Sequence, residues 1–285
     1  MVLILDGKKL SNKIKLELKE KINIFDKKPG LAIILIGQKS DSEIYVRMKK
    51  KACIYVGINN YDFHYDENIS ENIIIDKIQE LNNNDDINGI LVQLPLPKQF
   101  NKDKILNSIR IDKDIDGFHE SNVGKLTLNK KSLYPCTPSG VIRLLDYYDI
   151  ELKGKHIVVI GKSNIVGLPL SLLLLHREAT VTICHSNTIN LSDITKNADI
   201  LISACGQPEM ITKDYIKENV VIIDIGISRV VSDNNKGYRI VGDVNFTDVL
   251  EKTKAITPVP GGVGPMTIAM LLDNCFNNYI DHLKI

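Results

Sequence analysis

The sequence predicts an α/β protein of two lobes, each built from buried parallel strands that alternate with helices. Three observations carry that prediction. Short apolar, β-branched runs recur at residues 31–36, 89–94 and 157–160, the pattern of strands covered on both faces. Helical stretches separate these runs, and the alternation lapses only over residues 112–139 before it resumes, as expected of two α/β units joined by an irregular segment. Finally, residues 156–175 read HIVVIGKSNIVGLPLSLLLL: a strand, a glycine loop and a leucine-rich helix in succession. That order belongs to a doubly wound sheet and turns backbone N–H groups toward a phosphate.

In the first half, Ser11 is the expected cap of a helix over 11–25, which Pro29-Gly30 breaks. The strand at 31–36 closes at Gly37. A helix over 42–56 ends at Gly57 and carries Tyr45 and Lys49 four residues apart, on one face. A short strand at 61–64, a helix at 71–81, the strand at 89–94 with Pro95 and Pro97 behind it, and a helix at 101–109 follow. Residues 112–139 then lose periodicity, with Asp112, Asp114 and Asp116 clustered before Gly117. A stretch of that length in a compact protein is usually functional or a linker.

A helix over 141–148 leads into the second half. Strands are expected at 157–160, 180–183, 200–203, 220–223 and 255–257, and helices at 170–176, 192–197 and 214–217. Pro258 to Pro265 is a rigid, glycine-rich turn, and a last helix runs over 266–283. Two lobes joined near Ser139 would leave a cleft for a small molecule.

Composition excludes several classes. The chain has 285 residues and a formal net charge of +1, which gives no support to nucleic-acid or membrane-surface binding. Its five cysteines (Cys53, Cys136, Cys184, Cys205 and Cys275) form no CxxC pair, and no cluster has metal-ligand spacing. They read as reduced thiols in a cytoplasmic setting, with no metal site. The opening apolar run meets Asp6 too early for a signal peptide, and no run approaches the roughly 18 residues that would span a bilayer.

The glycine loop carries the first chemical signal. Its spacing is G-x-S-x-x-x-G, with Ser163 where a dinucleotide fingerprint has its middle glycine, so the loop alone fits either a nucleotide site or a plain turn. The following strand ends in Cys184-His185-Ser186 and offers no acid for a ribose 2′-hydroxyl. Ser186 and nearby Lys162 would tolerate a 2′-phosphate, which favours NADP over NAD. Elsewhere, Gln93 interrupts a buried strand at its carboxyl end, where open parallel sheets bind ligands, although a core amide satisfied by backbone is the plainer reading. Lys49 stands in a run of three lysines, ordinarily a solvated helix face; what distinguishes it is Tyr45 one turn earlier. Asp116 alone reads as a turn cap.

Taken together these pieces are far more specific. Asp6-Gly7-Lys8, Tyr45-x-x-x-Lys49, the run from Gly89 to Pro97, Asp114-Ile115-Asp116-Gly117, Pro135-Cys136-Thr137-Pro138, the Gly161–Pro169 loop, Cys184-His185-Ser186, Gly242-Asp243-Val244 and the turn from Pro258 to Thr267 resemble the bifunctional methylenetetrahydrofolate dehydrogenase/cyclohydrolase family over nearly the whole chain. The resemblance implies a catalytic folate-binding lobe over 1–139, completed by the C-terminal helix 266–285, and a Rossmann-type NADP-binding lobe over 140–265. The folate would lie in the cleft between them.

The implied chemistry is oxidation of 5,10-methylenetetrahydrofolate by NADP⁺, then hydrolysis of the methenyl product to 10-formyltetrahydrofolate. A dehydrogenase without the hydrolytic step, or a silent NADP-binding protein, is the alternative. By resemblance, Lys49 is the catalytic lysine, Gln93 orients it, Tyr45 stacks on the pterin and Asp116 holds its amide edge. Val92, Leu94, Pro260, Gly261 and Gly262 complete the substrate contacts. Gly161, Lys162, Ser163, Ile165, Val166, Gly167, His185, Ser186, Cys205, Gly206, Ile227 and Thr267 would meet the cofactor. The family commonly has arginine where this chain has Lys162, which points to a smaller margin of NADP over NAD. Family members are usually homodimers.

Overall fold

The computed structural model of the protein describes residues 2–233 and 237–283. It divides into two compact units. One comprises Met1–Ser11 and Thr137–Thr267, the other Asn12–Cys136 and Ile268–Ile285.

In chain order, β1 (Leu3–Ile4) leads into α1 (Gly7–Asn23). The cap of α1 is Asp6, whose Oδ1 accepts the Lys9 N–H at 2.8 Å. Ser11, the expected cap, lies inside the helix, and its hydroxyl donates to the Pro265 carbonyl at 2.9 Å. β2 (Gly30–Ile36) is apolar and buried throughout. α2 (Ser40–Val56) stops at Gly57, whose φ of 88° suits glycine. β3 (Asn59–Tyr65), α3 (Glu71–Asn82), β4 (Gly89–Val92) and α4 (Lys102–Asn107) follow close to their predicted bounds.

The aperiodic stretch departs from expectation, for it contains α5 (Glu120–Thr127). Its cap is His119, whose Nδ1 accepts the Ser121 N–H at 3.0 Å. Histidine is not among the preferred caps, so the start signal is missing from the sequence. α6 (Cys136–Tyr147) likewise begins ahead of the expected residue 141, because Pro138 falls in its first turn, where proline costs no helical hydrogen bond.

The second half runs β5 (His156–Ile160), α7 (Gly167–His176), β6 (Thr180–Cys184), α8 (Leu191–Thr195), β7 (Ile200–Ser203) and β8 (Val220–Asp224). The helix expected at 214–217 is a single 3₁₀ turn over Lys213–Tyr215. An unforeseen antiparallel hairpin of β9 (Ser228–Val231) and β10 (Tyr238–Val241) precedes α9 (Phe246–Val249), β11 (Thr253–Ile256) and α10 (Val263–Leu283).

In the unit built on residues 12–136, three parallel strands in the order β3-β2-β4 form the sheet. Its core joins Ile34, Ile90 and Val92 to Ile74, Ile78, Ile105 and Leu106. The α10 residues of this unit bind it through polar side chains. The Asn278 amide donates to the Asn88 carbonyl at 2.6 Å, and the Tyr279 hydroxyl donates to the Lys27 carbonyl at 2.6 Å.

The other unit holds a six-stranded parallel sheet in the order β1-β11-β8-β7-β5-β6. Chain direction across the sheet reverses at β5, where β6 lies on one side and β7 on the other. Doubly wound sheets bind ligands at that point, beyond the strand carboxyl ends. The sequence assigned residues 1–11 to the first lobe. Here they belong with this sheet, because Leu3 and Ile4 pair in parallel with Ala255 and Ile256. A two-residue edge strand carries too little pattern to be seen in advance.

Lys113 is 1% exposed, and its ammonium donates to the carbonyls of Leu81, Asn82 and Asn84 at 3.0, 2.8 and 2.8 Å. It thereby closes the C-terminal end of α3. Burial, helped by the Arg110 charge, pushes its pKa down to about 8. Lys113→Met should destabilise its unit by about 2–3 kcal/mol, the cost of orphaned buried carbonyls, measurable by urea unfolding. Between pH 8 and 10.5 the native lysine releases its proton before the unfolded one does, so this group makes stability rise with pH across that window. The rise should disappear in the variant.

Candidate functional site

In the unit of residues 12–136, the carboxyl end of β4 meets the inner face of α2. The Gln93 N–H continues the sheet, donating to the Ile34 carbonyl at 2.9 Å, and its side chain then leaves the core. Lys49 is 8% exposed, and its Nζ donates to Gln93 Oε1 at 3.0 Å. The Gln93 amide nitrogen donates onward to the Leu94 carbonyl at 2.7 Å, which fixes which end of the amide faces the lysine. Its neighbours in the lysine run are different: Lys50 and Lys51 are exposed, and Lys50 pairs with Asp62 at 2.7 Å. Tyr45 is half-buried one turn before Lys49.

Asp116 belongs to the same cluster. Burial pushes its carboxyl pKa up, while the Lys49 charge and a hydrogen bond with Cys136 pull it down. The buried Cys136 thiol, raised by burial and then by the Asp116 charge, lies 3.3 Å from the Ile115 carbonyl. Asn274 on α10 donates to the Ile115 and Tyr134 carbonyls at 2.8 and 3.1 Å. Asp114 is buried and accepts the His119 N–H and the Asn122 amide at 2.8 and 2.9 Å. These contacts hold the loop that carries Asp116, and sequence reasoning gave Asn274 and Asn122 no part. Val92 turns its side chain into the core, whereas Gln93 and Leu94 remain partly exposed. The cluster thus gathers an amine oriented by a neutral amide and a carboxyl, with the Tyr45 phenol one turn before the amine on α2, groups that can carry protons and hold a flat, amide-bearing ring.

In the other unit, the carboxyl ends of β5, β6 and β7 form a second site. Gly161 has φ 127°, and a Cβ there would lie 2.4 Å from the Ala204 carbonyl oxygen. A Cβ at Gly167 would lie 2.0 Å from the Gly161 carbonyl oxygen. The two glycines therefore close a turn that no larger residue fits, and it ends at the first residue of α7. Ser163 folds back on that helix start, its Oγ accepting the N–H groups of Val166 and Gly167 at 3.2 and 3.4 Å.

After β6, His185 Nδ1 accepts the Asn187 N–H at 3.2 Å, and Thr188 Oγ1 accepts the His185 N–H at 2.9 Å. Ser186 and Lys162 are exposed. A glycine cradle and a turn without an acid fit a dinucleotide bearing a 2′-phosphate. Cys205, Gly206 and Ile227 stand on the turns after β7 and β8. The glycine-rich turn 260–262 belongs to this unit, and the Gly261 carbonyl accepts the Lys8 N–H at 2.8 Å. Thr267 does not cap α10, which begins at Val263. Its hydroxyl pairs with that of Thr137 at 2.9 Å.

Two family models match the chain. Residues 5–116 match the tetrahydrofolate dehydrogenase/cyclohydrolase catalytic domain, and residues 135–283 match the NAD(P)-binding domain of the same family. The bifunctional protein FolD of Thermodesulfovibrio yellowstonii is 53% identical over 274 residues, covering 95% of this chain and 94% of that protein. The crystal structure of the bifunctional enzyme FolD, a methylenetetrahydrofolate dehydrogenase/cyclohydrolase, from Campylobacter jejuni is similar with a TM-score of 0.94 and 47% identity, over 99% of this chain and 100% of that one. The Trypanosoma brucei N5,N10-methylenetetrahydrofolate dehydrogenase-cyclohydrolase, solved in complex with NADP cofactor and inhibitor, is similar with a TM-score of 0.96 and 36% identity, over 100% and 99% of the two chains.

The turn at Gly167 gives a direct check of the second site. A methyl group there must displace backbone, so Gly167→Ala should cost its unit about 3 kcal/mol or more, read as a lowered melting temperature in a thermal scan.

Proposed function

The chain belongs to the tetrahydrofolate dehydrogenase/cyclohydrolase family, and from that premise we propose how its residues divide the two reactions. The protein oxidises 5,10-methylenetetrahydrofolate to the 5,10-methenyl cation with NADP⁺ and hydrolyses that cation to 10-formyltetrahydrofolate. The observation that carries the residue assignment is the buried Lys49 ammonium held 3.0 Å from Gln93 Oε1.

In this reading the pterin ring stacks on Tyr45, and Asp116 accepts hydrogen bonds from its amide and amino edge. The nicotinamide supplies hydride acceptance, so the protein's part in the first step is positioning. In the second step, Lys49 moves protons as water adds to the methenyl carbon and the ring C–N bond opens. The water oxygen becomes the formyl oxygen, one proton returns to the ring nitrogen, and one is released. Gln93 keeps the amine aimed without neutralising it. Lys162 and Ser186 receive the 2′-phosphate, and Ile165, Val166, His185, Cys205, Gly206, Ile227 and Thr267 shape the rest of the nucleotide site. Pro260, Gly261 and Gly262 approach the substrate through backbone.

A cytoplasmic setting is part of the proposal. It is supported by five free cysteines, four of them buried, and by the absence of any helix among the described residues long and apolar enough to cross a membrane. A homodimer is supported by the edge strand β6, which ends the sheet with Thr180 and Ile183 exposed.

Lys49→Met should lower hydrolysis of methenyltetrahydrofolate by roughly 10²–10⁴-fold, the usual worth of a placed acid–base group, while the dissociation constant for NADP⁺ stays unchanged by calorimetry. Near-normal hydrolysis would remove Lys49 from the step. Wild-type protein should turn over NADP⁺ better than NAD⁺. Lys162→Ala should reduce that preference about tenfold, as one charge-assisted contact is lost. Equal turnover of the two nucleotides by the wild type would refute the role of Lys162.

A further inference from the structure

Two carboxylates lie under the carboxyl ends of the six-stranded sheet. Asp224 ends β8 and is 3% exposed; Asp243 follows β10 and is fully buried. Asp224 spends its oxygens on backbone. Oδ1 accepts the N–H groups of Gly226 and Asp243, each at 2.9 Å, and Oδ2 accepts that of Val244 at 2.9 Å. Asp243 Oδ2 accepts the Ser203 hydroxyl at 3.0 Å and the Cys205 N–H at 2.8 Å, while its Oδ1 is buried without a hydrogen-bond partner. Thr257 extends the group, its hydroxyl accepting the Asp224 N–H at 2.8 Å.

Two glycines make the room. A Cβ at Gly242 would lie 1.8 Å from Asp224 Oδ2, and one at Gly226 would lie 2.2 Å from Asp243 Oδ1. The Gly242-Asp243-Val244 motif therefore has a physical reason: glycine admits one carboxylate, and the next residue supplies the other.

The arrangement is costly. Carboxylates taken out of water lose hydration that hydrogen bonds only partly restore. Burial pushes Asp224 up to about 6 even though three N–H groups stabilise its charged form, and the neighbouring Asp243 charge adds to the rise. Two like charges also gain nothing from each other that would offset that loss. What carboxylates provide instead is direction, because each fixes several donors at once. The donors fixed here belong to the turn after β7, the turn after β8 and residues 243–244. These turns carry Cys205, Gly206 and Ile227.

We propose that Asp224 and Asp243 are positioning residues for the dinucleotide: together they brace the turns after β7 and β8 and touch neither ligand themselves. The proposal rests on the nucleotide reading of those turns.

The test is calorimetric titration of NADP⁺ into wild type, Asp224→Asn, Asp243→Ala and Asp243→Asn, beside hydrolysis of methenyltetrahydrofolate in the absence of nucleotide. Asparagine at 224 cannot accept all three N–H groups, and alanine at 243 accepts none. Both should weaken NADP⁺ binding about tenfold or more, the usual effect of loosening a supporting contact. Asp243→Asn keeps an oxygen for Ser203 and Cys205 and should restore binding to within about threefold of wild type. Hydrolysis, whose Lys49 and Gln93 belong to the other unit, should hold within about twofold in every folded variant, a separation that general destabilisation would not produce. If Asp224→Asn fails to fold, the Asp243 pair decides. Unchanged NADP⁺ binding in Asp243→Ala, or equal losses in Asp243→Ala and Asp243→Asn, overturns the brace. A wild type that does not bind NADP⁺ overturns the nucleotide reading instead.

Discussion

A parallel strand buried on both faces can carry polar chemistry only where it ends. β2 and β4 are wholly buried, as are β7 and β8, and their interiors are apolar apart from the polar residues that close β7 and β8. Several candidate site groups therefore appear at the first residue that leaves the sheet or the last that belongs to it: Gln93 after β4, Gly161 after β5, Ser203 at the end of β7 and Asp224 at the end of β8. The sheet supplies rigidity, and its carboxyl edge supplies addresses. Both units obey this constraint, although one presents side chains and the other presents mostly backbone.

The irregular stretch between the strands is held by a different device. Residues 107–136 have little apolar periodicity, yet they are fixed by amides and charges that satisfy backbone. Asn82 donates to the Ser108 carbonyl at 2.8 Å, Asn122 to the Ile111 carbonyl at 3.0 Å and Asn274 to the Ile115 carbonyl at 2.8 Å. Such bonds each contribute modestly, but breaking one strands a buried partner. The many asparagines of this chain, which look like compositional bias, are at these positions structural.

Legibility followed the same physics. The strands and the long helices are readable because burial imposes a period; the start of α1 is displaced because Ser11 competes with the true cap, Asp6, and α5 is missed whole because its cap is His119. What could not be read was anything decided by contacts distant in sequence: the pairing of β1 with β11, and the anchoring of the Asp116 loop by α10. Site residues divide the same way. Glycine spacing exposed the loop at 161–167. In the sequence Lys49 differs from Lys50 and Lys51 only by Tyr45 one turn earlier on its face, and its role comes from the resemblance to a family pattern. Its burial against Gln93 supplies the physical distinction. Asp224 and Asp243 left a weak trace, an acid closing a buried run and an acid between glycine and valine, which gains meaning only when the two are seen to share donors.

The choice of partner for Lys49 is the most informative detail of the candidate site. A carboxylate at 3.0 Å would hold the amine charged and would form a strong, charge-assisted pair. Gln93 is neutral, so it fixes direction without forming an ion pair, and its own orientation is fixed in turn by the Leu94 carbonyl. The nearby negative group, Asp116, is itself raised by burial and in the proposed mode is engaged by the pterin edge when substrate is bound. The cationic methenyl substrate would then meet an amine aimed by a neutral dipole rather than paired with a carboxylate.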